Sequence, residues 1–225
     1  MNREEMRQYL EPGYYIDSKH PDVIAFAKKH VREIKDPIEQ ALALYLGVRD
    51  GWRYDPHQVD LRPEAMKASA ILQRDHGYCG EKATVLAAAA RVMGIPSRLG
   101  FANVTNHIGT EKLEKRLGTN VLVFHGYTDL YLKGQWVKAT PAFNKELCER
   151  LGVAVLEFNG REDSIFQEYD KGGGRFMEYL VDHGTFADVP YHQFVQAMLD
   201  HYPHLFEAHL PVLKKYMERA PRFPA

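Results

Sequence analysis

Cysteine is scarce in this sequence: Cys79 and Cys148 are the only two among 225 residues. A disulfide scaffold is thereby excluded, and two reduced thiols are favoured over a Cys79–Cys148 bridge. Long hydrophobic runs are missing as well. A membrane helix needs about 18 apolar residues in a row, and the most apolar stretch, Ala83 to Met93, is interrupted by Arg91. Charge of one sign is absent: 29 Lys and Arg stand against 30 Asp and Glu, for a net charge of -1. That argues against nucleic-acid binding, which draws on a basic excess or stripe. The first ten residues, MNREEMRQYL, are charged and lack the apolar core of a signal peptide. These absences lead to the expectation of a cytoplasmic protein that binds neither membrane nor nucleic acid.

Metal and phosphate motifs are lacking too. There is no HExxH and no cysteine pair with zinc spacing. The cluster of Asp200, His201 and His204, with His183 and His192 nearby, is split by Pro203 and reads as solvated histidines. The Gly172 to Gly174 run has no P-loop pattern and reads as a hairpin turn. No metal and no cofactor is expected.

What is present is an ordinary globular composition, 45% hydrophobic and 26% charged, with 13 Tyr and 11 Phe. Apolar periodicity predicts helices over Asp22 to Ile34 and from Asp36-Pro37 to Gly51, with a short one over Met66 to Gln73. Glu81 to Met93 is a strong, Ala-rich helix stopped by Gly94. Strands are expected over Arg98 to Val104 and Asn120 to Leu132. A turn at Lys133 to Gln135 returns the chain along Trp136 to Thr140. Further strands are expected at Ala154–Phe158, Ser164–Tyr169 and Arg175–Val181, then helices from Tyr191 to Met217. Nothing resembles a linker. The expectation is one α+β domain spanning 1–225, with the Cys79 helix packed on an antiparallel sheet and a helical C-terminal extension.

Two residues carry chemistry. Cys79 opens the Ala-rich helix between Gly77 and Gly80. Free N–H groups and a partial positive charge at a helix start favour a thiolate and can hold an oxyanion. The plain alternative is a small buried hydrophobe. His125 lies within a strand and, beside such a cysteine, has the chemistry of a general base; alone it reads as a core histidine.

The stretch Gly77-Tyr78-Cys79-Gly80-Glu81-Lys82-Ala83, running to Gly94-Ile95-Pro96-Ser97-Arg98, resembles the catalytic-helix block of transglutaminase-like proteins. His125-Gly126-Tyr127-Thr128-Asp129-Leu130-Tyr131, followed by Gly134-Gln135-Trp136, resembles the histidine hairpin of that family. Val48 to Tyr54 resembles its pre-catalytic segment. The resemblance covers roughly residues 35–142. It implies a papain-like core with a Cys–His–Asp triad that acts on amides or esters through a thioester, without calcium.

The sequence departs from that pattern where the family has Asp before Pro: Thr140 precedes Pro141. Thr accepts a hydrogen bond but carries no charge with which to stabilise an imidazolium. Thr140 is the first candidate to orient His125 and Asn144 the second; Asp129, four residues along the strand, is about 13 Å from His125 and too far. Tyr54, Gln73, His76, Tyr78 and Tyr127 are candidates for the cleft or oxyanion site, while Trp136 reads as hairpin packing. Residues 145–225 lie outside the resemblance and are expected to cap the cleft, with Gly184 to Pro190 as the capping loop. The resulting expectation is a cysteine hydrolase or acyltransferase (protease, amidase or transglutaminase-like). Its substrate would be a peptide, a protein side-chain amide or a small amide. The alternative is a weakened or inactive member of the fold that binds a peptide or protein partner.

Overall fold

The computed structural model describes residues 3–107, 111–165, 174 and 177–222. The chain starts with three helices, α1 (Arg3–Arg7), α2 (Pro21–Val31) and α3 (Pro37–Gly51). Proline in the first turn of α2 and α3 costs no hydrogen bond. Asp36 caps α3 by accepting from the N–H groups of Ile38 and Glu39 at 2.9 and 3.2 Å. A short parallel pair follows, β1 (Arg53–Tyr54) with β2 (His76–Gly77), enclosing α4 (Ala68–Ile71). Then comes α5 (Cys79–Val92), followed by β3 (Ser97–Asn106), α6 (Glu111–Leu117), β4 (Val121–Leu132), β5 (Gln135–Ala139) and α7 (Lys145–Leu151). The chain continues with β6 (Met177–Phe186), α8 (Tyr191–His201), α9 (Pro203–Phe206) and α10 (Leu210–Arg219).

The sheet is antiparallel with strand order β5-β4-β3-β6. Helix α5 is the centre of the molecule, covered by β3 and β4 on one side and by α2, α3 and α4 on the other. All of its residues except Val92 are buried. A helix buried on every side needs small residues so that its neighbours can approach, and Ala87 to Ala90 supply them. Its polar residues are satisfied internally. Thr128 Oγ1 donates to the Ala83 carbonyl at 2.8 Å, tying β4 to the helix. Lys82 Nζ donates to the carbonyls of Arg49 and Trp52 at 2.7 and 3.0 Å, closing the C-terminal end of α3; burial pulls this lysine down to about 7. Arg91 reaches the carbonyls of Glu11, Ser97 and Ala187 and so gathers three segments at the far end of α5.

Two backbones meet where α5 begins. A Cβ on Gly126 of β4 would lie 2.7 Å from the Gly80 Cα and 3.2 Å from its nitrogen. Each glycine adjoins a candidate catalytic residue, Cys79 and His125. Just upstream, β4 carries an extra residue. Ala102 pairs with His125 and Val104 with Leu122, so two steps on β3 face three on β4. This bulge leaves Phe124 at φ 51°, a conformation that bulky side chains rarely adopt. Side chains take up the N–H groups that leave the ladder: Phe124 donates to Asn103 Oδ1 and Val123 to the Tyr202 hydroxyl, both at 3.0 Å.

Two sequence expectations change. Ala154–Phe158 forms no strand: the side chains of Tyr45 and Arg49 on α3 hold the Leu156 carbonyl at 2.8 and 3.0 Å, where a strand would use a ladder partner. The strand expected at Arg175–Val181 is present over Met177 to Val181 and runs on to Phe186 as β6, which joins the sheet alongside β3. Gly184 to Pro190 is not the cap: Asp188 in this loop accepts from the N–H groups of Tyr14, Tyr15 and Ile16, which anchors it beside the N-terminal segment. Within the expected strands at Ser164–Tyr169 and Arg175–Val181, residues 166–169 and 175–176 lie outside the described residues, as do Gly172 and Gly173. Among the described residues, no helix is long and apolar enough to cross a membrane.

The glycine contact has a measurable cost. Gly126→Ala is expected to lower stability by about 2 kcal/mol or more, because a methyl group must push two backbones apart. Urea unfolding, with the midpoint shifted and the slope unchanged, is the check.

Candidate active site

Cys79 is the first residue of α5, and Tyr78 precedes it in extended conformation. Glu81, three residues into the turn, accepts from the Tyr78 N–H at 3.2 Å and pairs with Arg74 at 2.6 Å. This fixes the helix start, and with it the direction of the thiol. Cys79 and Cys148 are both free thiols.

Cys79 and His125 line one cavity of about 240 Å³. The rest of its wall comes from Tyr54 and Tyr78, from α6 and the start of β4, and from a cap made by α8 and α9. His125 also borders a second, smaller cavity of about 10 Å³, on whose wall Thr140 lies. The imidazole thus stands between the thiol on one side and Thr140 on the other. Its Nε2 is buried without a hydrogen-bond partner, and so is Thr140 Oγ1. Two orphaned polar atoms on the wall of one cavity, whose size matches a single water, mark a polar site that the fold has not closed directly.

Electrostatics keeps both members of the pair neutral. Burial pushes the Cys79 thiol up to about 11, against the backbone amides of Gly126, Gly80 and Cys79 itself, which pull it down. The helix start therefore does not yield the lowered thiol that its position in the sequence leads one to expect; at this buried position desolvation outweighs the free N–H groups. Burial alone takes His125 down to about 4.

The other candidates separate clearly. Tyr54 and Tyr78 line the cavity; Tyr54 packs edge-on against Phe143, and Tyr78 stacks on Phe194 of the cap. Asn144 does not reach His125 as an orienter, because its Oδ1 accepts from the Tyr54 N–H at 3.1 Å and holds β1 in place. Gln73 is not in the cleft: it donates to Asp22 at 2.9 Å on the outside of the helical layer. His76 pairs with Asp75 at 2.8 Å and borders a separate groove. Tyr127 is also outside the cavity, with its ring laid over Gly100 of β3. Asp129 pairs with Arg98 at 2.7 Å, and Trp136 stacks on the same Arg98, 4.1 Å from the ring centre. Four of the five histidines after β5 have separate partners: His183 with Asn103, His192 with the Met217 carbonyl, His201 with that of Ala197 and His204 with that of Arg116.

The sequence reading missed Phe194, Met198, Tyr202, Leu205 and Phe206, which form the cap, and Asn103, which supports the bulge before His125. The available signal for the cap was the amphipathic pattern of α8, whose buried face is Tyr191, Phe194, Val195 and Met198. Nothing local in the sequence announces the bulge.

The buried thiol makes a prediction about pH. A group raised to about 11 is protonated at neutral pH, so Cys79 alkylation by iodoacetamide in Cys148→Ser protein is expected to be slow at pH 7. It should then climb close to tenfold per pH unit to pH 9 without a plateau. A plateau reached below pH 8 would mean that a thiolate forms in the resting protein.

With this geometry established, comparison with known proteins has a definite meaning. The transglutaminase-like superfamily matches residues 24–141. Comparison with the curated proteins gives no match. Among solved structures, a candidate cysteine protease from Cytophaga hutchinsonii superposes with a TM-score of 0.49 at 14% identity, over 83% of this chain and 55% of its own. A candidate protease from Parabacteroides distasonis gives 0.38 at 14% identity, over 60% of this chain and 25% of its own. The chain thus spans about half the length of the first and a quarter of the second. The family match covers more than half of the chain and takes in Cys79, His125 and Thr140 in one continuous stretch, so the chain belongs to the transglutaminase-like superfamily.

Proposed function

We propose that this protein is a cysteine-dependent acyl-transfer enzyme acting on amide or ester carbonyls through a Cys79 thioester. The observation that carries this reading is the shared cavity of Cys79 and His125 at a helix start, with free N–H groups at its edge. In the proposed step, Cys79 Sγ attacks the acyl carbon while its proton passes to His125. The carbonyl oxygen is held by the Cys79 N–H and the Tyr54 hydroxyl. The C–N or C–O bond then breaks, the leaving group takes the proton from His125, and water or an amine resolves the thioester. Because both groups rest neutral, attack and proton transfer occur together, as with a serine nucleophile, without a standing thiolate.

Thr140 acts in this scheme from behind His125. Uncharged, it can position the ring but gives the imidazolium no electrostatic support. Thr140 together with the neutral pair favours a second reading, a binding module on an enzyme fold. Burst kinetics with an activated ester, followed by mass spectrometry of the Cys79 peptide, separates the two. An enzyme gives one acyl group per chain at Cys79. Cys79→Ala should abolish it, and His125→Ala should slow it by roughly 10²–10⁴. No acyl-protein, with peptide binding unchanged in Cys79→Ser, would establish the binding module instead.

Restoring the acid provides an independent check. Thr140→Asp places a carboxylate beside Nε2 and should raise the His125 pKa from about 4 by 1–3 units. Acylation at pH 7 is then expected to speed up by about tenfold or more. An unchanged or slower rate, with an intact fold by circular dichroism, would remove Thr140 from the mechanism.

A further inference from the structure

The cavity over Cys79 differs in character from the cleft of an enzyme that reads polypeptide. Its cap contributes Phe194, Met198, Tyr202, Leu205 and Phe206, and Leu122 faces them from β4. Tyr202 offers only its ring, because its hydroxyl is already committed, donating to the Val121 carbonyl at 2.7 Å and accepting from the Val123 N–H at 3.0 Å. Among the described residues no Asp or Glu lines it; besides His125, the basic side chains on the wall are Arg116 and His209. A peptide segment drawn into such a space would lose water from its backbone amides and find few partners, at about 1–3 kcal/mol per unpaired group. An apolar chain gains about 0.8 kcal/mol per methylene buried. The volume of about 240 Å³ is roughly one and a half times that of a ~150 Å³ apolar cavity that holds benzene, which scales to roughly eight to ten heavy atoms. The cap lies outside residues 24–141, the stretch that the superfamily matches.

We propose that the cavity is an acyl-binding chamber and that the substrate is a small amide or ester of an apolar acyl group of roughly eight to ten heavy atoms, such as octanoyl or phenylacetyl. This rests on the acyl-transfer reading above, whose chemistry it leaves unchanged: the acyl group moves from its amine or alcohol to Cys79 Sγ, and the thiol proton leaves with that amine or alcohol. Of the three substrate classes expected from the sequence, it selects the small amide.

The test uses the full chain and p-nitrophenyl esters of acetate, butanoate, hexanoate, octanoate, dodecanoate and phenylacetate, beside a glutaminyl and an alanyl peptide p-nitroanilide. The expected result is an acylation kcat/KM that peaks at hexanoyl to octanoyl, at least tenfold above acetyl, with phenylacetyl comparably fast. Met198→Trp, or Leu205→Phe if the first variant does not fold, should move the optimum to shorter chains. Acylation of Cys79 with a flat length profile, or faster acylation by the peptides, overturns the chamber while leaving the chemistry standing. If no compound acylates Cys79, the acyl-transfer reading falls, and calorimetric titration of octanamide into Cys79→Ala protein then decides the chamber. Binding that is lost on Met198→Trp upholds an apolar ligand site, and absence of binding overturns it.

Discussion

The active-site region depends on a contact between two backbones. Gly80 on α5 and Gly126 on β4 approach so closely that no side chain fits between them. Each glycine directly follows a candidate catalytic residue, so this approach fixes the separation of the thiol and the imidazole. The rest of the architecture serves the same end. Small residues along α5 let the sheet lie close, and Thr128 ties β4 to the helix one turn further on. Lys82 and Arg91 consume carbonyls that would otherwise be buried unpaired. A core helix that carries a lysine, a glutamate and an arginine is stable only because each finds partners within reach.

The same tight burial explains the electrostatics. Burial raises the thiol and lowers the imidazole, so the neutral form of the pair is the resting one. A carboxylate at position 140 would counter that tendency; threonine does not. The small cavity between Thr140 and His125 is therefore bordered by two uncharged polar groups.

The sequence made the core of the fold legible. Helix α5 follows from its alanines and its Gly94-Ile95-Pro96 exit, and the β4–β5 hairpin follows from the turn at Lys133-Gly134. Cys79 and His125, drawn from separate sequence blocks, line one cavity. The failures have two physical causes. Periodicity reports which faces are apolar and is silent on what covers them, so the cap from α8 and α9 was not assigned and the 184–190 loop was named in its place. Polar candidates close in sequence to the cysteine, Gln73 and His76, were drawn off by Asp22 and Asp75, partners that local reasoning does not see. Asn144 illustrates the same limit, since its amide is engaged by a backbone N–H ninety residues away in the chain.

The bulge in β4 has one further consequence. The Tyr202 hydroxyl belongs to the cap, yet it completes the hydrogen bonding of Val121 and Val123, the stretch of β4 that leads into His125. Lifting the cap would therefore strip β4 of two hydrogen bonds beside a residue already held in an unfavourable backbone conformation. The packing of the cap and the hydrogen bonding of the strand that leads into His125 are thus coupled through Tyr202. A closed roof and an aimed imidazole are thermodynamically linked, so whatever fills the space beneath the roof also pins the imidazole in position.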